Sequence, residues 1–165
     1  MKIFDSSPLI AILGNLADPE ILAFFIALGY TLYVPDKVVE EVSNNIEKQN
    51  LQNMIGKKQI TKLKPFLDLD IQKFRDRYPR LGKGESELIL ISQEWRKENK
   101  IFCCIIDDAV ARKTAERFGL KCKGTIGLLH KLNGKGFIDE NKLNYYLKKL
   151  EECGFRYKFK NNENN

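Results

Sequence analysis

The chain has 165 residues, 43% of them apolar and 30% charged, with a net charge of +6 from 28 basic and 22 acidic side chains. This excludes a disordered or fibrous protein and predicts one globular domain over residues 1–160, large enough to bury a core, followed by a polar disordered tail at 161–165. No apolar run approaches the roughly 20 residues of a membrane helix, and "MKIFDSSPL" lacks a signal peptide's basic-then-apolar order, so a cytoplasmic protein with no membrane partner is expected.

"MKIF" is expected as a strand. "SSPLIAILGNL" follows with helical spacing, capped by Ser6 or Ser7 with Pro8 in its first turn. A second helix opens at Asp18-Pro19 and runs to Gly29, a C-cap glycine. "YTLYV" is the next strand, and a helix over 36–44 turns out of Pro35. Residues 45–64 are polar and lysine-rich, with room for one helix and the short strand "QITKL". "PFLDLDIQKFRDRY" reads as a weaker helix and "PRLGKG" as a turn. From Glu85 to Lys97 the pattern is that of a mostly buried helix. The strand 101–106 leads into a helix over 108–118 that ends at Gly119. "LKCKG" gives a short strand, "TIGLLHKLN" a helix and "ENKLNYYLKKLEE" an amphipathic helix.

Strands alternate with helices, and the apolar strands are continuous rather than alternating with polar residues. The expected fold class is therefore α/β, a three-layer α/β/α sandwich with a mainly parallel central sheet buried on both faces. Cys103, Cys104, Cys122 and Cys153 include no C-x-x-C and are expected as buried free thiols.

Asp5 ends the first strand, as Asp107 and Asp108 end a later one, and in a parallel sheet those ends share one edge. Each acid also stands where a helix begins, so a cap is the competing role for any one of them. On helix 36–44, Val38, Val39 and Val42 mark the buried stripe. At about 100° per residue Glu41 falls at its border, able to lean over the sheet edge, while Glu40 faces solvent. Glu85 and Glu87 flank the Leu88, Ile91 and Trp95 face on opposite sides, and the pattern does not choose between them. Carboxylates gathered without a cation repel one another and resist ionisation. Oxygen donors with no organised histidine or thiolate suit Mg²⁺ or Mn²⁺, and such a cluster suits water activation and phosphoryl displacement. The sole histidine, His130, lies on an apolar helical face and is expected to pack there.

Residues 73–83, "KFRDRYPRLGK", bring Arg75, Arg77, Arg80 and Lys83 up to Glu85, interleaved with Phe74 and Tyr78. Basic and aromatic groups beside an acidic centre suit an RNA path, and suit a solvated helix face equally well. Arg112 either meets phosphate or pairs with Asp108. "LGKGES" lacks the spacing of a phosphate-binding loop and reads as a turn and helix start.

Five blocks, "FDSSPLIAIL", "VPDKVVEEV", "GKGESELILI", "IIDDAVARKTAERFGL" and "GTIGLLHKLNGKGFI", together resemble the PIN-domain ribonucleases, in the bacterial and archaeal branch related to VapC-type toxins. The resemblance spans nearly the whole chain. It implies a parallel sheet between helices and a Mg²⁺- or Mn²⁺-dependent endonucleolytic cleavage of RNA, in the toxin half of a toxin–antitoxin pair. Carried over by position, Asp5, Glu41, Glu85 and Asp107 are the four catalytic acids and metal ligands. Glu87 matches a further acid of that branch, and Asp108 an auxiliary ligand or a cap. Ser6 and Thr125 match hydroxyls that orient acids or water. RNA, an antitoxin protein and a second copy of the chain are the implied partners. The alternative is a PIN-fold module that binds RNA or protein and cleaves little; intact acids at all four positions favour the enzyme.

Overall fold

The structure is a computed structural model that describes residues 1–155; the tail expected at 161–165 lies outside the described residues. Five short parallel strands make one sheet: β1 (Lys2–Phe4), β2 (Leu32–Val34), β3 (Ile60–Lys62), β4 (Cys103–Ile105) and β5 (Cys122–Lys123), in the order β3-β2-β1-β4-β5. The helices are α1 (Ser6–Ile10), α2 (Glu20–Ala27), α3 (Asp36–Glu41), α4 (Asn45–Gly56), α5 (Asp68–Arg77), α6 (Lys83–Lys97), α7 (Ala109–Arg117), α8 (Thr125–Asn133) and α9 (Glu140–Glu152).

The continuous apolar strands are explained by where their side chains go. Successive residues point to opposite faces of a strand, so Phe4 and Ile105 enter one core with Leu9, Phe25, Leu51 and Leu128. Ile3 and Cys104 enter a second core with Leu88, Ile91, Trp95 and Ala115. The sheet is therefore covered on both sides, with α5, α6 and α7 over the second core, and the fold is the expected α/β sandwich.

Chain order fixes where the site falls. From β1 the chain moves outward to β2 and β3, then returns to the other side of β1 as β4 and β5. The crevice beyond the carboxyl ends of β1 and β4 is thus the switch point, where open parallel sheets place their ligands. The predicted glycine stops are present: Gly29 (φ +81°) donates to the Ile26 carbonyl at 2.8 Å while Tyr30 donates to Phe25 at 3.0 Å. That double bond caps α2 in the left-handed conformation that glycine adopts without strain.

Several boundaries depart from expectation. Neither Ser6 nor Ser7 caps α1: Asp5 holds the cap position and makes no capping bond with its side chain. The helix expected over 6–16 passes into a π-helical segment at Ala11–Asn15. The helix expected to 44 stops at Glu41, and the one expected from Glu85 begins at Lys83. Strand 101–106 contracts to β4 because Ile101 is 89% exposed and lies outside the sheet. Of the four thiols only Cys104 is buried; Cys103 and Cys122 are half-buried and Cys153 is exposed. Among the described residues no single helix is long and apolar enough to cross a membrane.

Candidate active site

Asp5 follows β1 directly, and its amide continues the ladder by donating to the Ile105 carbonyl at 3.0 Å. Its side chain is fully buried, and among the described residues neither carboxylate oxygen has a hydrogen-bond partner. Buried polar atoms in folded proteins are almost always paired, so this orphan is unusual. Burial pushes the Asp5 carboxyl up to about 8, helped by the charges of Glu85, Glu41 and Asp107 and opposed by the Ser6 amide, which lies near the carboxyl but outside hydrogen-bonding geometry. An aspartate that acted only as a cap would show a bonded oxygen.

Glu41, at the end of α3, is brought in by two bonds from elements far away in sequence. Ser6 Oγ donates to its Oε2 at 2.9 Å, and the Gly84 amide donates to its Oε1 at 2.7 Å. Gly84 must be glycine for this contact, since a Cβ there would stand 2.5 Å from Glu41 Oε2 and 2.9 Å from Val38 Cγ2. Glu85 reaches back along its own helix start: Oε2 accepts the Gly82 amide at 2.8 Å. Burial, then the nearby charges of Asp108 and Glu41, raise the Glu85 carboxyl against that bond. "LGKGES" is thus a turn and helix start, and its two glycine amides hold two different acids.

Asp107 lies beyond β4 and is gripped by the first residue of α8. The Thr125 amide donates to Oδ1 at 2.7 Å and Thr125 Oγ1 to Oδ2 at 2.5 Å. Burial nevertheless keeps the Asp107 carboxyl above its ordinary range, against these bonds and the Arg112 charge. Asp108 is a helix cap: its Oδ1 accepts the Val110 and Ala111 amides, both at 2.8 Å. Its charge still reaches Glu85.

Glu87 belongs elsewhere. It is fully buried, with Oε2 accepting the Lys37 amide at 2.6 Å and Oε1 the Phe66 amide at 2.9 Å. It ties the start of α3 and the segment after β3 to α6, and so it does not join Asp5, Glu41, Glu85 and Asp107. The helical pattern left Glu85 and Glu87 open; their partners separate them.

Among the basic residues, Arg75 is turned inward, with Nε donating to the Leu81 carbonyl at 3.2 Å, so it braces the turn before α6. Arg77, Arg80 and Lys83 are exposed. Arg112 stands beside Asp107, not in an ion pair with Asp108: its Nη1 lies 3.3 Å from where a Gly124 Cβ would sit, and Asp107 Oδ1 lies 2.7 Å from the same point. His130 is exposed rather than packed in the core. A groove of about 1050 Å³ beside Asp107 and Asp108 is lined further by Arg112, Lys123, Ile126 and Phe155. The backbone roles of Gly82, Gly84 and Gly124 were not foreseen, although the G-x-G before Glu85 and the Gly before Thr125 were the signal.

The oxygen-only donor set fits a hard divalent cation. Asp5 offers two unshared oxygens, Glu41 and Asp107 each accept two bonds, one per oxygen, and Glu85 accepts one, leaving lone pairs free. Among the described residues no lysine or arginine is ion-paired with these acids, and no three His, Cys, Asp or Glu side chains already surround a common ion position.

No curated protein matches this chain. A family model described as a PIN domain matches residues 1–163. With the acids at the edge where a parallel sheet gathers them, and a match over almost the full length, the chain belongs to the PIN-domain family, a nuclease-type fold whose members generally hydrolyse phosphodiester bonds.

Proposed function

We propose that this protein is a Mg²⁺- or Mn²⁺-dependent endoribonuclease whose centre is Asp5, Glu41, Glu85 and Asp107. The observation that carries the reading is Asp5: fully buried, unpartnered at both oxygens and set among three other acids. A module that only binds RNA or protein has no use for so costly a group, whereas a cation supplies the missing partner.

The four acids would hold the ion, Asp5 most directly. When bound, such an ion lowers the pKa of a water and stabilises the oxyanions of an in-line displacement at phosphorus. The chain's own contribution is positioning. Thr125 fixes the plane of Asp107 with two bonds, Ser6 and Gly84 fix Glu41, and Gly82 fixes Glu85. Asp108 supports the site indirectly, as the cap that starts α7. Arg112, beside Asp107, is suited to meet a phosphate of the substrate.

RNA as substrate is supported by the basic balance and by the resemblance to VapC-type ribonucleases, which also extends the proposal to a toxin held in check by an antitoxin. Cleavage of a mixed RNA pool in Mn²⁺, Mg²⁺ or chelator, with Asp5→Asn beside the wild type, tests the enzyme. Metal-dependent cleavage lost in the variant supports it; no cleavage in either metal contradicts it. A short neighbouring gene whose product abolishes the cleavage tests the toxin role.

A further inference from the structure

We infer that the cleft between the α5–α6 turn and α7 is a phosphate-binding subsite for a single strand of RNA running away from the acids. The inference rests on the nuclease reading above and assigns a path to its substrate. The cleft has a volume of about 390 Å³, and its lining includes Arg77, Tyr78 and Arg80 on one wall and Val110, Lys113 and Arg117 on the other. Four cations meet there, and among the described residues no acid lines it. Among the described residues none of the four is ion-paired.

Two independent segments build this arrangement. Val110, Lys113 and Arg117 recur at the spacing of one helical face. Ala109, Arg112 and Glu116 form a different face of α7 and line the groove beside Asp107. The helix therefore divides the surface into a mixed groove and a purely basic cleft. Arg77 and Arg117 stand in the last turns of α5 and α7, where the helix dipole favours a cation in any case. Arg80 and Lys113 do not, and the dipole gives no reason for all four to converge. Tyr78, tilted against Phe74 and edge-on to Phe118 with centroids 4.8 and 5.7 Å away, adds a half-buried ring beside the cations. Charge with an aromatic surface is the chemistry of single-strand binding.

The cleft also adjoins the acids. Leu81, in its lining, precedes Gly82, whose amide holds Glu85. The Val110 amide holds Asp108, whose charge acts on Glu85. A strand leaving the centre between Glu85 and Asp108 would enter the cleft directly. Lys113 and Arg117 thereby join the RNA-binding set, and Arg75 leaves it.

The test is binding of a short fluorescent single-stranded RNA to the whole chain in excess chelator, where no cleavage interferes, between about 50 and 200 mM salt. The variant is Arg80→Ala with Lys113→Ala; both residues are exposed, and circular dichroism confirms the fold. The control, Lys57→Ala with Lys58→Ala, removes equal charge near the opposite edge of the sheet. The cleft variant should bind more weakly, with the slope of log affinity against log salt shallower by about 1.4, or 0.7 per lost phosphate contact. The control should keep the wild-type slope. An unchanged slope in the cleft variant, an equal loss in the control, or no RNA binding by the wild type would overturn the subsite. A slope that falls as expected in a protein that never cleaves would sink the nuclease reading and leave the cleft standing.

Discussion

Thr125 holds Asp107 at both ends, its amide on Oδ1 at 2.7 Å and its hydroxyl on Oδ2 at 2.5 Å. One residue thus fixes both the position and the plane of an acid from a different strand. Thr125→Val keeps the amide bond and the shape but removes the hydroxyl. Cleavage should fall by about 10- to 100-fold, the usual cost of losing a group that orients a metal ligand. Thr125→Ser should restore most of it. Equal activity in Thr125→Val and wild type, measured as kcat/KM, would show that this hydroxyl orients nothing the reaction needs.

Glu85 and Glu87 should separate cleanly. Glu85→Gln is expected to abolish cleavage with little change in melting temperature. Glu87→Gln turns one of two acceptors into a donor facing a backbone amide, so stability should drop by about 1–3 kcal/mol. Cleavage by the folded fraction should persist. Denaturant titration beside an activity assay reads both, and a stable but inactive Glu87→Gln would reverse the assignment.

Gly84 is a steric requirement of the centre. An added methyl would stand 2.5 Å from Glu41 Oε2, so Gly84→Ala should displace Glu41 and reduce activity strongly. Overpacking of this kind costs about 1–3 kcal/mol. Wild-type kcat/KM in Gly84→Ala would mean that Glu41 is free to take up its role from elsewhere.

The metal-free protein should lose stability as pH rises. The Asp5 carboxyl is lifted from an ordinary 3.8 to about 8, so the folded state holds a proton that the unfolded state releases. The stability from that proton is complete below about pH 4 and drains away toward pH 8, by about 1.4 kcal/mol for each unit crossed. Glu85 and Asp107, also raised, act in the same direction. Asp5→Asn should therefore flatten the curve of melting temperature against pH between about 5 and 8 in chelator. Parallel curves for variant and wild type would place the proton elsewhere.

The sheet and the convergence of Asp5 with Asp107 were legible in the sequence, because strand ends in a parallel fold must share an edge. Glu41 was legible from the angle it makes with Val38 and Val42. Local rules failed where a distant partner outweighed them. Ser6 looked like a cap, but its hydroxyl is taken by Glu41, 35 positions away. Glu87 looked equivalent to Glu85 because helical angles say nothing of the Lys37 and Phe66 amides that occupy it. His130 looked like core because its neighbours Leu128, Leu129 and Leu132 are, yet it points outward. The clustering of Lys113 and Arg117 with Arg77 and Arg80 required two segments to meet, and no spacing within either one announces that.

The central claim is that the four acids form one cation site, and the most direct measurement is the metal-induced thermal shift of Asp5→Asn, Asp107→Asn and wild type. In chelator the variants should melt at or above the wild-type temperature, because one mutual repulsion is gone. Millimolar Mn²⁺ should raise the wild-type midpoint, as any ligand of the folded state does, by about 2.7 kcal/mol of stabilisation at a hundredfold excess over Kd. Both variants should shift far less. Equal shifts in all three proteins would contradict a shared site and the nuclease built on it.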